Sequence, residues 1–185
     1  VTPDPDCRYA ATFEIDLDSL DPMVATPGDP RNAISISDLE DAIRINIAYG
    51  GSCTAAKMDD MDMYARVLRA ALEAGRRVHE DVEFYLQYGS QRVKAYAQEK
   101  NYDRLFQEAG ATIVNPSCGA CINAGPGVSR SEDDVSISAI NRNFPGRSGP
   151  GRVYLGSPYV VAASAIAGRI VPPSEILAKT AEELP

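Results

Sequence analysis

The clearest helix that the sequence predicts spans residues 59–74, where an apolar stripe recurs at helical spacing. Its apolar residues are spaced at i, i+4, i+7 and i+8 and share one helical face: Met63, Val67, Ala70 and Ala71. Capping residues and composition predict three more helices, at residues 90–100, 102–109 and 157–168. In the last of these, Ser157 is the expected N-cap and Pro158 occupies the first helical position.

Short apolar or alternating runs between turn signals predict strands at residues 12–17, 45–49, 82–86, 111–114 and 153–155. Residues 21–33 are rich in proline and are predicted to form a loop. Residues 37–40 have a capping-box pattern, so a helix is expected to begin there. Because strands alternate with helices, we expect an α/β fold. More specifically, we expect an α/β/α sandwich with a mixed, largely parallel sheet and helices on both faces.

The length of 185 residues corresponds to one domain. Residues 1–12 are rich in Pro and Asp and are expected to be a frayed N-terminal extension. Residues 13–185 then form one folded domain, with a solvated acidic end at residues 181–184. The hydrophobic share of 44% supports a real core and excludes disorder for most of the length. Because the first residue is Val1 and not Met, we expect the chain to be processed or cut from a longer one.

Charge and hydropathy exclude two classes of function. Eighteen basic against 26 acidic residues give a net charge of −8, which disfavours binding to a nucleic-acid backbone. No stretch approaches the roughly 18 uncharged apolar residues that a membrane helix needs. The first residues lack the features of a signal or transit peptide. Together with a Cys-x-x-Cys pair, this predicts a reducing, cytoplasmic location.

Three cysteines lie in loops that follow predicted strands: Cys53, Cys118 and Cys121. In a largely parallel sheet such loops meet at the carboxyl edge, where ligands usually bind. Thiolates are the protein ligands of iron–sulfur clusters. A cubane held by three thiolates keeps one iron open to substrate or water, as a Lewis acid. Small residues beside each cysteine would allow a bulky cofactor to approach.

Two other readings of the cysteines remain. Cys118 and Cys121 would suit a thioredoxin-like redox pair, although such a pair normally opens a helix after an early strand. With Cys7 and Cys53 they would also supply the four ligands of a structural zinc site.

Two arginines flank a Phe-Pro-Gly turn in the segment Asn141-Arg142-Asn143-Phe144-Pro145-Gly146-Arg147. Guanidinium groups bind planar carboxylates at two points, which an ammonium group does not. Arg142 and Arg147 are therefore candidates for binding an anionic substrate in one cavity.

Three motifs in this order resemble the aconitase and isopropylmalate dehydratase superfamily: Gly51-Ser52-Cys53-Thr54, Pro116-Ser117-Cys118-Gly119-Ala120-Cys121 and the segment from Asn141 to Arg147. The spacing of 65 positions from Cys53 to Cys118 also fits that family, and the resemblance runs from about Leu17 to Pro172. Two departures are Ala55-Ala56, where the family usually has Asn-Ser, and Tyr88, where it usually has Pro.

The resemblance implies a [4Fe-4S] cluster on Cys53, Cys118 and Cys121, with Asn141 beside it. It implies that Arg142 and Arg147 bind substrate carboxylates. The reaction would be that of a hydro-lyase, which dehydrates and rehydrates a hydroxy di- or tricarboxylic acid, as aconitate hydratase and 3-isopropylmalate dehydratase do.

In that family the acid and base residues lie on other domains or on a swivelling small subunit. No acid–base catalyst is therefore expected in this chain, which resembles the cluster-bearing third domain and should be inactive alone. The competing interpretation is a separated, non-catalytic domain that serves as an assembly partner for the remaining subunits.

Overall fold

The sheet of the computed structural model, which describes residues 2–39 and 42–177, is mixed and largely parallel. Its described strands are β1 (Met23–Ala25), β2 (Ala33–Ser35), β3 (Ile47–Gly51), β4 (Glu83–Gln87), β5 (Thr112–Val114), β6 (Val135–Ser138) and β7 (Arg152–Gly156). They lie in the order β2-β1-β7-β6-β3-β4-β5. The strands from β7 to β5 run parallel, and β1 and β2 are antiparallel additions beside β7. The predicted α/β class is confirmed.

The described α-helices are α1 (Met58–Glu73), α2 (Gln91–Glu99), α3 (Tyr102–Ala109), α4 (Pro158–Ala167) and α5 (Ser174–Leu177). The bounds of the four helices predicted from sequence are confirmed to within one or two residues, because residues at or near each helix start determine where it begins. The Ser90 and Ser157 hydroxyls accept from the amides of Val93 and Val160, and Pro158 opens α4.

The two faces of the sheet are covered differently. Helices α1 and α4 pack against each other, and α4 packs on β3, over a core that includes Ala48, Phe84 and Leu86. On the opposite face Tyr49 packs with Ala120 and Ile140. A 3-10 helix, Ala120–Ile122, and the loops around it cover that second face, so helical segments flank both sides of the sheet.

Three sequence expectations are wrong. Residues 12–17 form no strand; Phe13, Ile15 and Leu17 are exposed, because an alternating pattern needs a neighbouring strand to pair with. The predicted loop at 21–33 contains β1 and the start of β2, which pair around a Pro- and Gly-containing turn. Only a 3-10 turn, Ile36–Asp38, forms at the capping box.

Strand β6 and helix α5 had no sequence prediction. Residues 40–41 and the acidic end at 181–184 lie outside the described residues. Residues 2–23 are exposed throughout. None of the helices in the described ranges is long and apolar enough to cross a bilayer.

The carboxylate of Asp62 links three helices, α1, α2 and α3. Asp62 of α1 accepts hydrogen bonds from the hydroxyls of Tyr96 and Tyr102, each at 2.7 Å, and lies 3.6 Å from Lys100 Nζ. Burial raises the pKa of Asp62, but the hydrogen bonds from Tyr102 and Tyr96 and the charge of Lys100 outweigh it. The net pKa is therefore below the ordinary 3.8.

We expect Asp62→Asn to lower the free energy of unfolding at pH 7 by about 1 kcal/mol. Charge-assisted hydrogen bonds contribute more, but solvent screens a side chain that is 39% exposed. Because the folded pKa lies below the unfolded one, the contribution is complete above pH 3.8 and is lost as pH falls through the folded pKa. Urea unfolding at pH 7 and pH 3 checks this, with the exposed Asp133→Asn as control. Equal losses at both pH values would contradict it.

Candidate functional site

The carboxyl ends of three neighbouring strands coincide at one edge of the sheet. Gly51 of β3 is in register with Gln87 of β4, which is in register with Val114 of β5. Cys53 follows Gly51 by two residues, and Cys118 follows Val114 by four. The loops that carry the candidate thiolates therefore leave from the same edge, separated by β4 alone.

The Cys53 loop begins with a backbone conformation that constrains it closely. Gly51 has φ +93°, and a Cβ there would overlap the carbonyl oxygen of Gln87. Ser52 follows at φ +149°, which residues with side chains rarely adopt. Its buried hydroxyl accepts from the amides of Thr54 (3.1 Å) and Ala55 (3.2 Å). These contacts turn the chain so that Cys53 is exposed at the rim.

The loop that carries Cys118 and Cys121 rests on Tyr49 and Gln87. Tyr49 donates to Gln87 Oε1 at 2.7 Å, and Gln87 Nε2 donates to the carbonyl oxygen of Ser117 at 2.7 Å. Cys118 is exposed, and Cys121 is half-buried beside Tyr49. Burial raises the pKa of Tyr49 to about 12, so this hydroxyl stays protonated and able to donate at neutral pH.

The arginine loop leaves the same edge after β6. The amide of Ala139 and the hydroxyl of Ser138 both donate to the carbonyl oxygen of Tyr49. Ile140 then packs with Tyr49 and Ala120, and Asn141 follows it, exposed. The predicted Asn141 therefore directly follows a residue that packs on the 3-10 helix containing Cys121.

Asn143 holds this loop down between the two arginines. Its buried side-chain amide donates to the carbonyl oxygens of Thr26 (2.8 Å) and Val153 (3.0 Å). Arg142 is exposed, whereas Arg147 is half-buried and its Nε is buried without a hydrogen-bond partner among the described residues. Within those residues neither arginine is paired with a carboxylate, so both guanidinium groups keep binding capacity.

The predicted cysteines are all free thiols. Over residues 2–39 and 42–177, no three His, Cys, Asp or Glu side chains are arranged to hold a single metal ion. Cys7 lies in the exposed N-terminal segment, where its amide donates to the carbonyl oxygen of Asp4.

Sequence reasoning missed Tyr49, Gln87 and Asn143. Their positions in apolar strands or in a turn offered no signal, since their partners lie 38, 30 and 117 residues away in the sequence.

Comparison with known proteins decides the family. A model of the aconitase family (aconitate hydratase) matches residues 1–168, which is most of the chain. The chain belongs to the aconitase family. Among curated members it is 38% identical over 176 residues to the 3-isopropylmalate dehydratase large subunit of Wolinella succinogenes, covering 94% of this chain. It is 39% identical over 176 residues to that of Clostridioides difficile, and 38% over 179 residues to large subunit 1 of Methanopyrus kandleri.

The chain spans about 40% of the length of these curated relatives. These relatives are named as large subunits. Each name therefore refers to a longer protein, of which this chain matches only part.

Proposed function

We propose that this chain is the cluster-bearing part of a hydro-lyase that dehydrates and rehydrates a hydroxy di- or tricarboxylic acid, of the class to which 3-isopropylmalate belongs. The observation that carries the proposal is the convergence of two cysteine loops and one arginine loop at a single edge of the sheet. Membership of the aconitase family supports it.

Three free thiols on loops at one edge of the sheet are a donor set that suits a [4Fe-4S] cluster. Cys53, Cys118 and Cys121 are free and lie on two loops that follow β3 and β5, and no three His, Cys, Asp or Glu side chains among the described residues are arranged to hold a single ion. In a cubane each thiolate binds its own iron, so the three sulfur atoms need to surround a volume instead of a point. When bound, the cluster would supply a Lewis-acidic iron at the rim.

Arg142 and Arg147 would hold the carboxylates of the substrate. Neither is in an ion pair with any of the described residues, and the chain's net charge is −8, so they supply local positive charge against a field that repels an acid. Asn141 would present its amide beside the Cys121 segment. Buried Asn143 keeps the loop that carries all three in place.

Proton transfer would come from another part of the enzyme. The three loops, residues 52–57, 115–128 and 139–151, contain no His, Asp or Glu. General acid–base catalysis typically contributes about 10²–10⁴-fold. The proposed partners are therefore the remaining part of a large subunit and a small subunit with a swivelling domain.

The test has two stages. The chain, reconstituted anaerobically with iron and sulfide, should bind a [4Fe-4S] cluster by metal analysis and absorption, and should not dehydrate 3-isopropylmalate alone. Placed in the matching segment of the Wolinella succinogenes large subunit and mixed with that organism's small subunit, it should restore turnover. Robust turnover by the chain alone would contradict the proposal. A loaded but inactive chimera would favour the assembly-partner role.

In that chimera we expect Arg142→Lys and Arg147→Lys each to raise the Michaelis constant or lower turnover by at least about tenfold. Lysine keeps the charge but loses the two-point contact with a carboxylate. The free energy of unfolding should change by less than about 0.5 kcal/mol, as for surface changes generally. Arg130→Lys, in an exposed ion pair with Glu83, is the matched control. Unaltered kinetics would remove both arginines from the substrate site.

A further inference from the structure

A buried polar pair lies beneath the loop that carries Cys118 and Cys121. Tyr49 and Gln87 are almost wholly shielded from solvent, and their side chains are joined by the 2.7 Å hydrogen bond from the Tyr49 hydroxyl to Gln87 Oε1. They come from adjacent parallel strands, and both side chains point to the face that the loops cover.

Both members of the pair contact the loop, Gln87 through hydrogen bonds and Tyr49 through packing. Gln87 Nε2 donates to the carbonyl oxygen of Ser117 at 2.7 Å and to its hydroxyl at 3.0 Å. Tyr49 packs against Ala120. The residues that contact the pair, Ser117 and Ala120, therefore lie on both sides of Cys118, and Ala120 directly precedes Cys121.

The loop is also shaped to the tyrosine ring. A Cβ at Gly119 would lie 2.5 Å from the Tyr49 hydroxyl oxygen, and a Cβ at Gly127 would overlap the ring itself. The backbone thus passes against Tyr49 twice, once between the two cysteines and once six residues after Cys121.

We infer that Tyr49 and Gln87 form a positioning pair that holds the Cys118–Cys121 loop in its ligating arrangement before a cluster is bound. The purpose that we assign to the pair rests on the proposed function, whereas the contacts of the pair with the loop do not depend on it. A Phe–Leu pair would fill the same space without the desolvation cost of two polar groups. Apart from the hydrogen bond between the two side chains, the side-chain hydrogen bonds of this pair go to the cysteine loop. Its polarity therefore orders that loop and is not needed to fill the core.

The test compares Tyr49→Phe with Tyr85→Phe in the full chain. Each removes one hydroxyl from the same face of the sheet, but the Tyr85 hydroxyl bonds to Glu83 and not to the loop. In the cluster-free protein, Tyr49→Phe should speed amide exchange at residues 117–121 and alkylation of Cys121 by about tenfold, which corresponds to about 1.4 kcal/mol. Alkylation of Cys7 should not change, and Tyr85→Phe should match the wild type.

A second readout follows the cluster. In reconstituted protein, Tyr49→Phe and Gln87→Leu should each lose iron to a chelator about tenfold faster than wild type, in the range known for residues that orient metal ligands. The double variant should be no worse than the poorer single variant, because the two side chains act as one unit. Gln87→Leu also serves as the second variant if Tyr49→Phe does not fold.

Two outcomes would overturn the inference. One is exchange and alkylation in Tyr49→Phe equal to those in Tyr85→Phe. The other is a faster-exchanging loop with an unchanged rate of iron loss, because the pair would then order the loop without serving its ligands. A wild-type chain that binds no iron would contradict the proposed function, and exchange and alkylation would still decide whether the pair holds the loop.

Discussion

Cys118→Ala should abolish incorporation of a [4Fe-4S] cluster, while Cys7→Ala should leave it intact. Removing one of three thiolates leaves a second iron without a protein ligand, and even residues that merely orient ligands change metal affinity by about 10–100-fold. Cys118 is exposed, so the substitution opens no cavity and stability should stay within about 0.5 kcal/mol of wild type. Iron and sulfide per chain, with the absorption spectrum, measure the effect.

Cys7 is the matched control because it is also an exposed free thiol but lies in the N-terminal segment. Equal iron loss in the two variants would indicate a four-cysteine metal site of the zinc type. Full cluster occupancy in Cys118→Ala would remove this residue from the ligand set.

Gly51→Ala should lower the free energy of unfolding by about 4 kcal/mol, combining the strain of positive φ with overpacking. The added methyl would overlap the carbonyl oxygen of Gln87, which is backbone and cannot rotate away. Gly75→Ala is the control: its φ is +70°, and a Cβ there meets nothing within 4 Å. It should cost about 1 kcal/mol, the strain alone. Urea unfolding followed by circular dichroism separates the two values.

Similar losses in both glycine variants would mean that the β3–β4 contact relaxes. The Cys53 loop would then be less constrained than its Gly51–Ser52 start indicates. Cluster uptake by Gly51→Ala at the wild-type level would point the same way.

Local signals account for the elements that sequence predicted well. Ser90 and Ser157 accept hydrogen bonds from amides three residues ahead. The residues that start these helices therefore lie within one helical turn of each other in the sequence. The missed strands depend on distant partners instead. Val24 is buried because β1 pairs with β7, more than 120 residues later, and nothing within residues 21–33 announces that.

The same distinction separates the parts of the candidate site. Cys53 and Cys118 could be placed at one edge from sequence, since each follows a strand and parallel strands end together. The positions of Tyr49, Gln87 and Asn143 could not, because each satisfies groups on a segment that only the folded sheet brings near.

The β1–β2 hairpin bears on where this protein can be re-engineered. Its turn is hydrogen-bonded to the arginine loop. The side-chain amide of Asn143 donates to the carbonyl oxygen of Thr26, and the backbone carbonyl oxygen of Asn143 accepts from the amide of Gly28 at 3.2 Å. A tag or fluorophore inserted at residues 27–31 would therefore act on Arg142 and Arg147 as well. The turn at Gly75 has open space around it and lies between α1 and β4, at the other end of the strand from Gln87. Labels and fusion points belong there.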